Sequence, residues 1–323
     1  MSTKPAPAPL DHLLDPEMVP IVCRMRERMA SRVPMTSIEP SLMRARAAAD
    51  FAAWNEEPPP MAEVRDLTID AARGVLARLY VPADASEAGG LLVHFHGGGW
   101  VIGDVDFEDR ACRSVALESG VRVLSVAYRL APEVKFPDPI EDCVAAVSWA
   151  REKATSLRVD PQRIALGGAS AGANLAMAAT LMMRDRGLPP PKCLVLLYGV
   201  YAMRTNTESY RLFGEGSYGL GAEALDFFMS LYLRDEADRA NPLASPVLAD
   251  LSGFPPAFIA IAGIDPLRDD SREMAGKLRA AGVAVDAREY EGVLHGFTQF
   301  ARDSAQGRRA LSDAAAALRA GLA

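Results

Sequence analysis

Eight short runs after residue 60 constrain the fold more than anything else in this sequence. The first two, 63-EVRDLTI-69 and 74-GVLARLYV-81, alternate polar and apolar residues, the period of two expected of half-buried strands. The other six, at 91–96, 121–128, 163–168, 192–198, 257–263 and 284–290, are mainly short apolar stretches. Most intervals between them hold helix-length segments, such as 138–154 and 267–282. Apolar strands alternating with helices predict an α/β protein, with a mostly parallel eight-stranded sheet flanked by helices.

Two regions stand outside that rhythm. Residues 16–54 read as helix broken at Pro34 and Pro40, and the EEPPP run at 56–60 stops them. The first ten residues, rich in Pro and Ala, read as disordered or extended, and His12 falls in the same tail. The interval 199–255 is too long for one connection and carries 222-AEALDFFMSLYL-233, so a helical cap inserted at about 202–250 is expected. The predicted organisation is an N-terminal helical cap segment over 1–60 and a catalytic domain over 61–323. Tyr218, Phe227 and Phe228 are open to two readings, packing within the cap or an apolar wall facing a ligand.

Charge and composition narrow the partners. With 35 basic and 42 acidic residues the net charge is -7, which argues against nucleic-acid binding and a polybasic membrane footprint. No apolar run approaches 18 residues and no leader pattern opens the chain. Cys23, Cys112, Cys143 and Cys193 show no metal spacing, so reduced, mostly buried thiols in a cytoplasmic protein are expected.

The chemistry centres on GGASAG at 167–172, which fits G-x-S-x-G between a predicted strand and a predicted helix. A serine on so sharp a turn needs small neighbours, and Gly168, Ala169, Ala171, Gly172 and Ala173 are all small. HGGGW at 96–100 follows the third run, and its glycines let backbone N–H groups approach a ligand closely, as an oxyanion requires. A serine nucleophile also needs a base. His94 lies inside a strand and His96 reads as a buried imidazole bonded to loop backbone. If nucleophile, acid and base follow in that order, His295 in 291-EGVLHGF-297 is the remaining base. Asp265, in the turn leaving the seventh run, is the acid; Asp269 and Asp270 read as solvated charges on the next helix.

HGGGW, YRLAPE at 128–133, GASAGANLA, DPLRD and HGF, in this order, resemble the hormone-sensitive lipase-like branch of the α/β-hydrolases. The resemblance covers nearly all of the chain beyond residue 60. It implies hydrolysis of small carboxylic esters with short to medium acyl chains, through Ser170 as nucleophile, His295 as base then acid, and Asp265 orienting the imidazole. It places the oxyanion hole at the N–H groups of Gly98, Gly99 and Ala171, and it implies no metal and no organic cofactor. Many members are homodimers, a state the sequence neither supports nor excludes. Related folds include a carbon–oxygen lyase and a small-molecule receptor, although a receptor would be expected to lack the histidine this chain keeps. The YRLAPE segment reads equally as support for the glycine loop or as a strand end and Pro turn. Three positions depart from the family pattern. Ala169 and Ala173 replace Asp and Gly around the serine, and Gly199 replaces Pro after the sixth run.

Overall fold

A computed structural model of the protein describes residues 10–30 and 32–323. All eight runs are strands, with ends within a few residues of those expected. They are β1 (Glu63–Asp70), β2 (Val75–Val81), β3 (Gly89–Phe95), β4 (Arg122–Ala127), β5 (Val159–Ala169), β6 (Leu194–Leu197), β7 (Ala257–Ile264) and β8 (Val285–Leu294). They form one sheet in the order β1-β2-β4-β3-β5-β6-β7-β8. Only β2 runs against its neighbours; from β4 through β8 every pairing is parallel.

The helices are α1 (Met18–Ala30), α2 (Pro40–Ala52), α3 (Asp109–Ser119), α4 (Asp138–Glu152), α5 (Ala154–Leu157), α6 (Ala171–Asp185), α7 (Glu208–Phe213), α8 (Ala222–Tyr232), α9 (Arg268–Ala280) and α10 (Ala305–Gly321). Side chains alternate across the sheet and so build two cores. Leu91, Val93 and Phe95 of β3 join the apolar faces of α4, α6 and α9. Leu92, with Val123 and Phe258, meets α3 and α10 on the other side. β7, the run AFIAIAGI, is buried along its whole length, as a strand covered on both faces must be. α6 lies so deep that every residue from Ala171 to Met183 is buried, which its alanine-rich text permits.

Two expectations for the N-terminal tail divide. Residues 1–9 lie outside the described residues. His12, expected in a disordered tail, instead sits in a single 3-10 turn, Asp11–Leu13. That turn is tied down at its N-terminal end: Asp11 pairs with Arg26 at 2.7 Å, and Leu10 N–H donates to Tyr218 Oη at 3.0 Å. Cys112, Cys143 and Cys193 are buried free thiols, while Cys23 is half-buried. No helix among the described residues is long and apolar enough to cross a membrane.

Because the strands from β4 onward are parallel, their C-terminal ends face one edge of the sheet. The HGGGW loop leaves β3 there, Ser170 follows β5, Asp265 follows β7 and His295 follows β8.

Candidate active site

Ser170 occupies the bend between β5 and α6 with φ 54° and ψ −118°, a conformation an L-residue adopts only under constraint. Main chain supplies the constraint: Ser170 N–H bonds Leu197 O at 2.9 Å, and Ser170 O accepts from Ala173 N–H at 3.1 Å. The glycines are steric necessities. A Cβ on Gly168 would strike the main chain of Gly172, and one on Gly172 would strike the carbonyl of Phe95. Ala171 is the first residue of α6, so its N–H belongs to the helix's first turn, which has no intrahelical acceptor.

His295 follows β8, next to Gly296 in the left-handed region at φ 77°. Its Nε2 lies 2.9 Å from Ser170 Oγ and its Nδ1 lies 2.8 Å from Asp265 Oδ2. A carboxylate only accepts, so Nδ1 carries the proton and Nε2 is free to accept from the serine hydroxyl. Asp265 is fully buried, and Leu267 N–H donates to its Oδ1 at 2.8 Å, fixing the carboxylate plane toward the imidazole. The Tyr198 ring meets the His295 ring edge-on at 5.1 Å, and Tyr198 Oη is 2.5 Å from Thr298 Oγ1. Burial pushes the Tyr198 phenol well above its ordinary value, so it stays neutral beside the imidazole.

The other histidines are excluded as bases by their surroundings. His96 Nδ1–H donates to Gly97 O at 2.7 Å, its ring stacks on Tyr128 at 4.4 Å, and burial lowers its pKa, leaving a neutral structural imidazole. His94 bonds Glu108 at 2.6 Å.

The glycine loop lies across the bend. Gly97, Gly98 and Gly99 line the same cavity as Ser170 and His295. Gly98 and Gly99 hold φ of 107° and 60°, and a Cβ on Gly99 would press into the Phe228 ring. YRLAPE touches this loop twice: Tyr128 Oη–H donates to His96 O and Ala131 N–H donates to Trp100 O, both at 2.9 Å. Of the two readings of that segment, the geometry matches support of the loop.

The cavity measures about 290 Å³. Its far wall comes from α1, α2 and α8, with Met25, Met29, Met35, Phe51, Leu225 and Phe228 among the lining residues. Of the three aromatics open to two readings, Phe228 is on the cavity wall. Tyr218 instead packs with Arg26, whose guanidinium lies 5.3 Å from its ring, and Phe227 packs on the core.

Asp270 requires a correction. It is not a solvated charge but is 1% exposed on the inner face of α9, because α9 turns that position toward the loop after β6. Burial pushes its carboxyl up to about 7, with Arg204 opposing the shift. Asp269 is half-buried and accepts Ser209 N–H at 2.8 Å. The three departures also acquire places. Ala169 and Ala173 are fully buried core residues, and the bare Cα of Gly199 leaves room for the Tyr201 ring, with Ala173 beside it. Sequence reasoning missed Glu108, Tyr198 and Gln299, which also line the cavity. Tyr198 directly follows the parallel strand β6, a position that could have singled it out; Glu108 and Gln299 carry no such signal.

A family model described as alpha/beta hydrolase fold matches residues 92–299, and the chain belongs to that family. The carboxylic ester hydrolase LipN of Mycobacterium tuberculosis is 44% identical over 243 residues, covering 73% of this chain. The chain spans 64% of that relative's length. An arylesterase of Saccharolobus solfataricus is 37% identical over 249 residues, 76% of this chain and 81% of the relative. Among solved structures, an ester hydrolase from the metagenome of Lake Arreo, complexed with a derivative of bipyridine phosphonate, superposes with a TM-score of 0.90. Its sequence identity is 34%, over 95% of this chain and 98% of that one.

Proposed function

We propose that Ser170, His295 and Asp265 hydrolyse small carboxylic esters through an acyl-enzyme, with the N–H groups of Gly98, Gly99 and Ala171 taking the oxyanion. The chain is a carboxylic ester hydrolase. The observation that carries the assignment of roles is the continuous contact from Ser170 Oγ to His295 Nε2 and from His295 Nδ1 to Asp265 Oδ2. In acylation the serine hydroxyl proton passes to Nε2 as Oγ bonds the carbonyl carbon. The carbonyl π pair moves onto oxygen, which the three N–H groups meet. The imidazolium, held by Asp265, then gives its proton to the departing alkoxide, and the alcohol leaves. Water repeats the sequence: it loses a proton to Nε2, attacks the acyl carbon, and Ser170 Oγ departs with that proton.

The described residues of the 1–60 segment and those at about 202–250 act as the cap that bounds the acyl site. A cavity of about 290 Å³ lined largely by apolar side chains supports short to medium acyl chains. The net charge of -7 argues against nucleic-acid partners, four free thiols support a cytoplasmic protein, and a homodimer is the assembly carried over from the family resemblance.

The test pairs p-nitrophenyl butyrate turnover with mass analysis after a serine-directed phosphonate. One adduct on Ser170 and loss of turnover in Ser170→Ala, with the melting temperature kept, are expected. Turnover that survives in Ser170→Ala overturns the nucleophile.

A further inference from the structure

We propose that Glu108 is a positioning residue for the oxyanion loop, its carboxylate fixing the Gly97 peptide so that the following N–H groups meet the reacting oxygen. The proposal rests on the ester-hydrolase roles given above.

Glu108 precedes α3 and is 3% exposed, yet its carboxylate is fully engaged at the cavity wall. Gly97 N–H donates to Oε1 at 3.0 Å, His94 Nε2–H donates to Oε2 at 2.6 Å, and Gln299 Nε2–H reaches Oε1 at 3.4 Å. A Cβ on Gly97 would lie 3.2 Å from Glu108 Oε1 and 3.4 Å from Ser170 Cβ. Carboxylate, peptide and nucleophile therefore form one tightly packed layer, in which a side chain on Gly97 would push its neighbours by a few tenths of an ångström.

The loop needs such an anchor. Gly98 and Gly99 have no side chains to pin them, and their backbone angles are ones only glycine holds cheaply. Their orientation is set by bonds to neighbouring peptides: Tyr128 on His96 O, Val101 and Ile102 N–H on Gly98 O, and Glu108 on Gly97 N–H. The last of these comes from a side chain that reaches the peptide leading into Gly98 and Gly99. Burial would push the Glu108 carboxyl up. The His94 hydrogen bond and charge, with the Gly97 N–H, outweigh it, so the group titrates below its ordinary value and stays ionised. An acceptor held within reach of Gly97 N–H favours the donor geometry throughout the reaction without touching substrate, and its reach is what the loop depends on. The mechanism above makes no use of it.

Two variants separate reach from charge. Glu108→Gln keeps the reach: its amide oxygen can accept Gly97 N–H while its NH₂ faces a His94 that accepts at Nε2. Glu108→Asp keeps the charge but withdraws the oxygen from Gly97 by one methylene. The measurements are kcat and KM for p-nitrophenyl butyrate, Ki for a trifluoromethyl ketone whose hemiketal oxygen occupies the oxyanion position, and melting temperature. Glu108→Asp should lose about tenfold or more in kcat with KM within about twofold, since donors displaced by a fraction of an ångström lose much of their effect. Its Ki should weaken by the same factor as kcat/KM, and Glu108→Gln should stay within about threefold of wild type. The reverse order, a loss confined to KM, an unchanged Ki, or a change in melting temperature without one in kcat overturns the proposal. Phosphonate labelling of wild-type Ser170 runs alongside. If the wild type neither labels nor turns over, the ester-hydrolase roles fail; if it does both and the variants rank otherwise, only the role of Glu108 fails.

Discussion

In the bend after β5, what forbids a side chain is backbone: Gly168 abuts the main chain of Gly172, and Gly172 abuts the carbonyl of Phe95. In the loop after β3 both kinds of neighbour occur: Gly99 abuts the Phe228 ring of α8, Gly97 abuts the Glu108 carboxylate and the carbonyl of Ala169, and Gly98 abuts the carbonyl of Ile102. Both segments line one cavity, through Ser170 in the first and Gly97, Gly98 and Gly99 in the second; the first is fixed by main chain alone, and the second is held partly by side chains from other elements. The sheet, once formed, sets the serine bend. The oxyanion loop depends on α2, α3, α8 and the YRLAPE segment being in place.

That contrast can be broken experimentally. The largest effect is expected from Gly172→Ala, where no flexible side chain can yield: about 3 kcal/mol, the upper end of overpacking costs, read from a urea transition. A stable Gly172→Ala protein would remove the distinction. Gly99→Ala comes next. A residue with φ near +60° costs about 1 kcal/mol on its own, and the Phe228 ring must also move, so kcat should fall roughly tenfold. Phe228→Ala in the same chain should recover part of that loss; if the double variant is no faster, the loop is not held from outside. Tyr128→Phe removes one bond to His96 O, worth about 1 kcal/mol, and should lower kcat/KM by about fivefold.

The last test, read across pH rather than in one buffer, concerns the floor of the serine bend. Val200 N–H reaches Ser170 O at 3.4 Å, and Ser271 Oγ, next to Asp270, reaches Gly199 O at 3.4 Å. Asp270 has an ordinary value of 3.8 and is pushed up to about 7 by burial. The folded state thus holds a proton that the unfolded chain releases between about pH 4 and 7, and stability falls as pH rises through that window. Asp270→Asn should melt with wild type near pH 4 and a few degrees above it at pH 8. A constant difference at both pH values would show that burial of this carboxyl does not drive the effect.

The same contrast explains what the sequence made legible. Strand runs such as AFIAIAG and the small residues around Ser170 record local requirements, so the strands, the bend and the places of Asp265 and His295 after strand ends could be read directly. The two antiparallel pairings of β2 and the order of strands could not, since they arise between distant segments. Glu108 was invisible because its value lies in a peptide eleven residues away, and DFED looks like any polar helix start. Asp270 was misread because adjacent carboxylates on one helix turn point to different faces, and sequence position alone does not say which face is covered. Asp265 was legible because a strand end fixed its location.

Arg44 of α2 donates from Nε to Val101 O and from Nη2 to Ala131 O, both at 2.9 Å, and pairs with Glu133. α2, which lines the cavity, is therefore also fastened to the back of the glycine loop. Under the proposed roles, selectivity and turnover share a structural member. Grafting residues 16–54 from a relative to change which acyl chain enters will also retune the hydrogen-bond donors that speed the reaction, unless the arginine and its carbonyl partners travel with the graft.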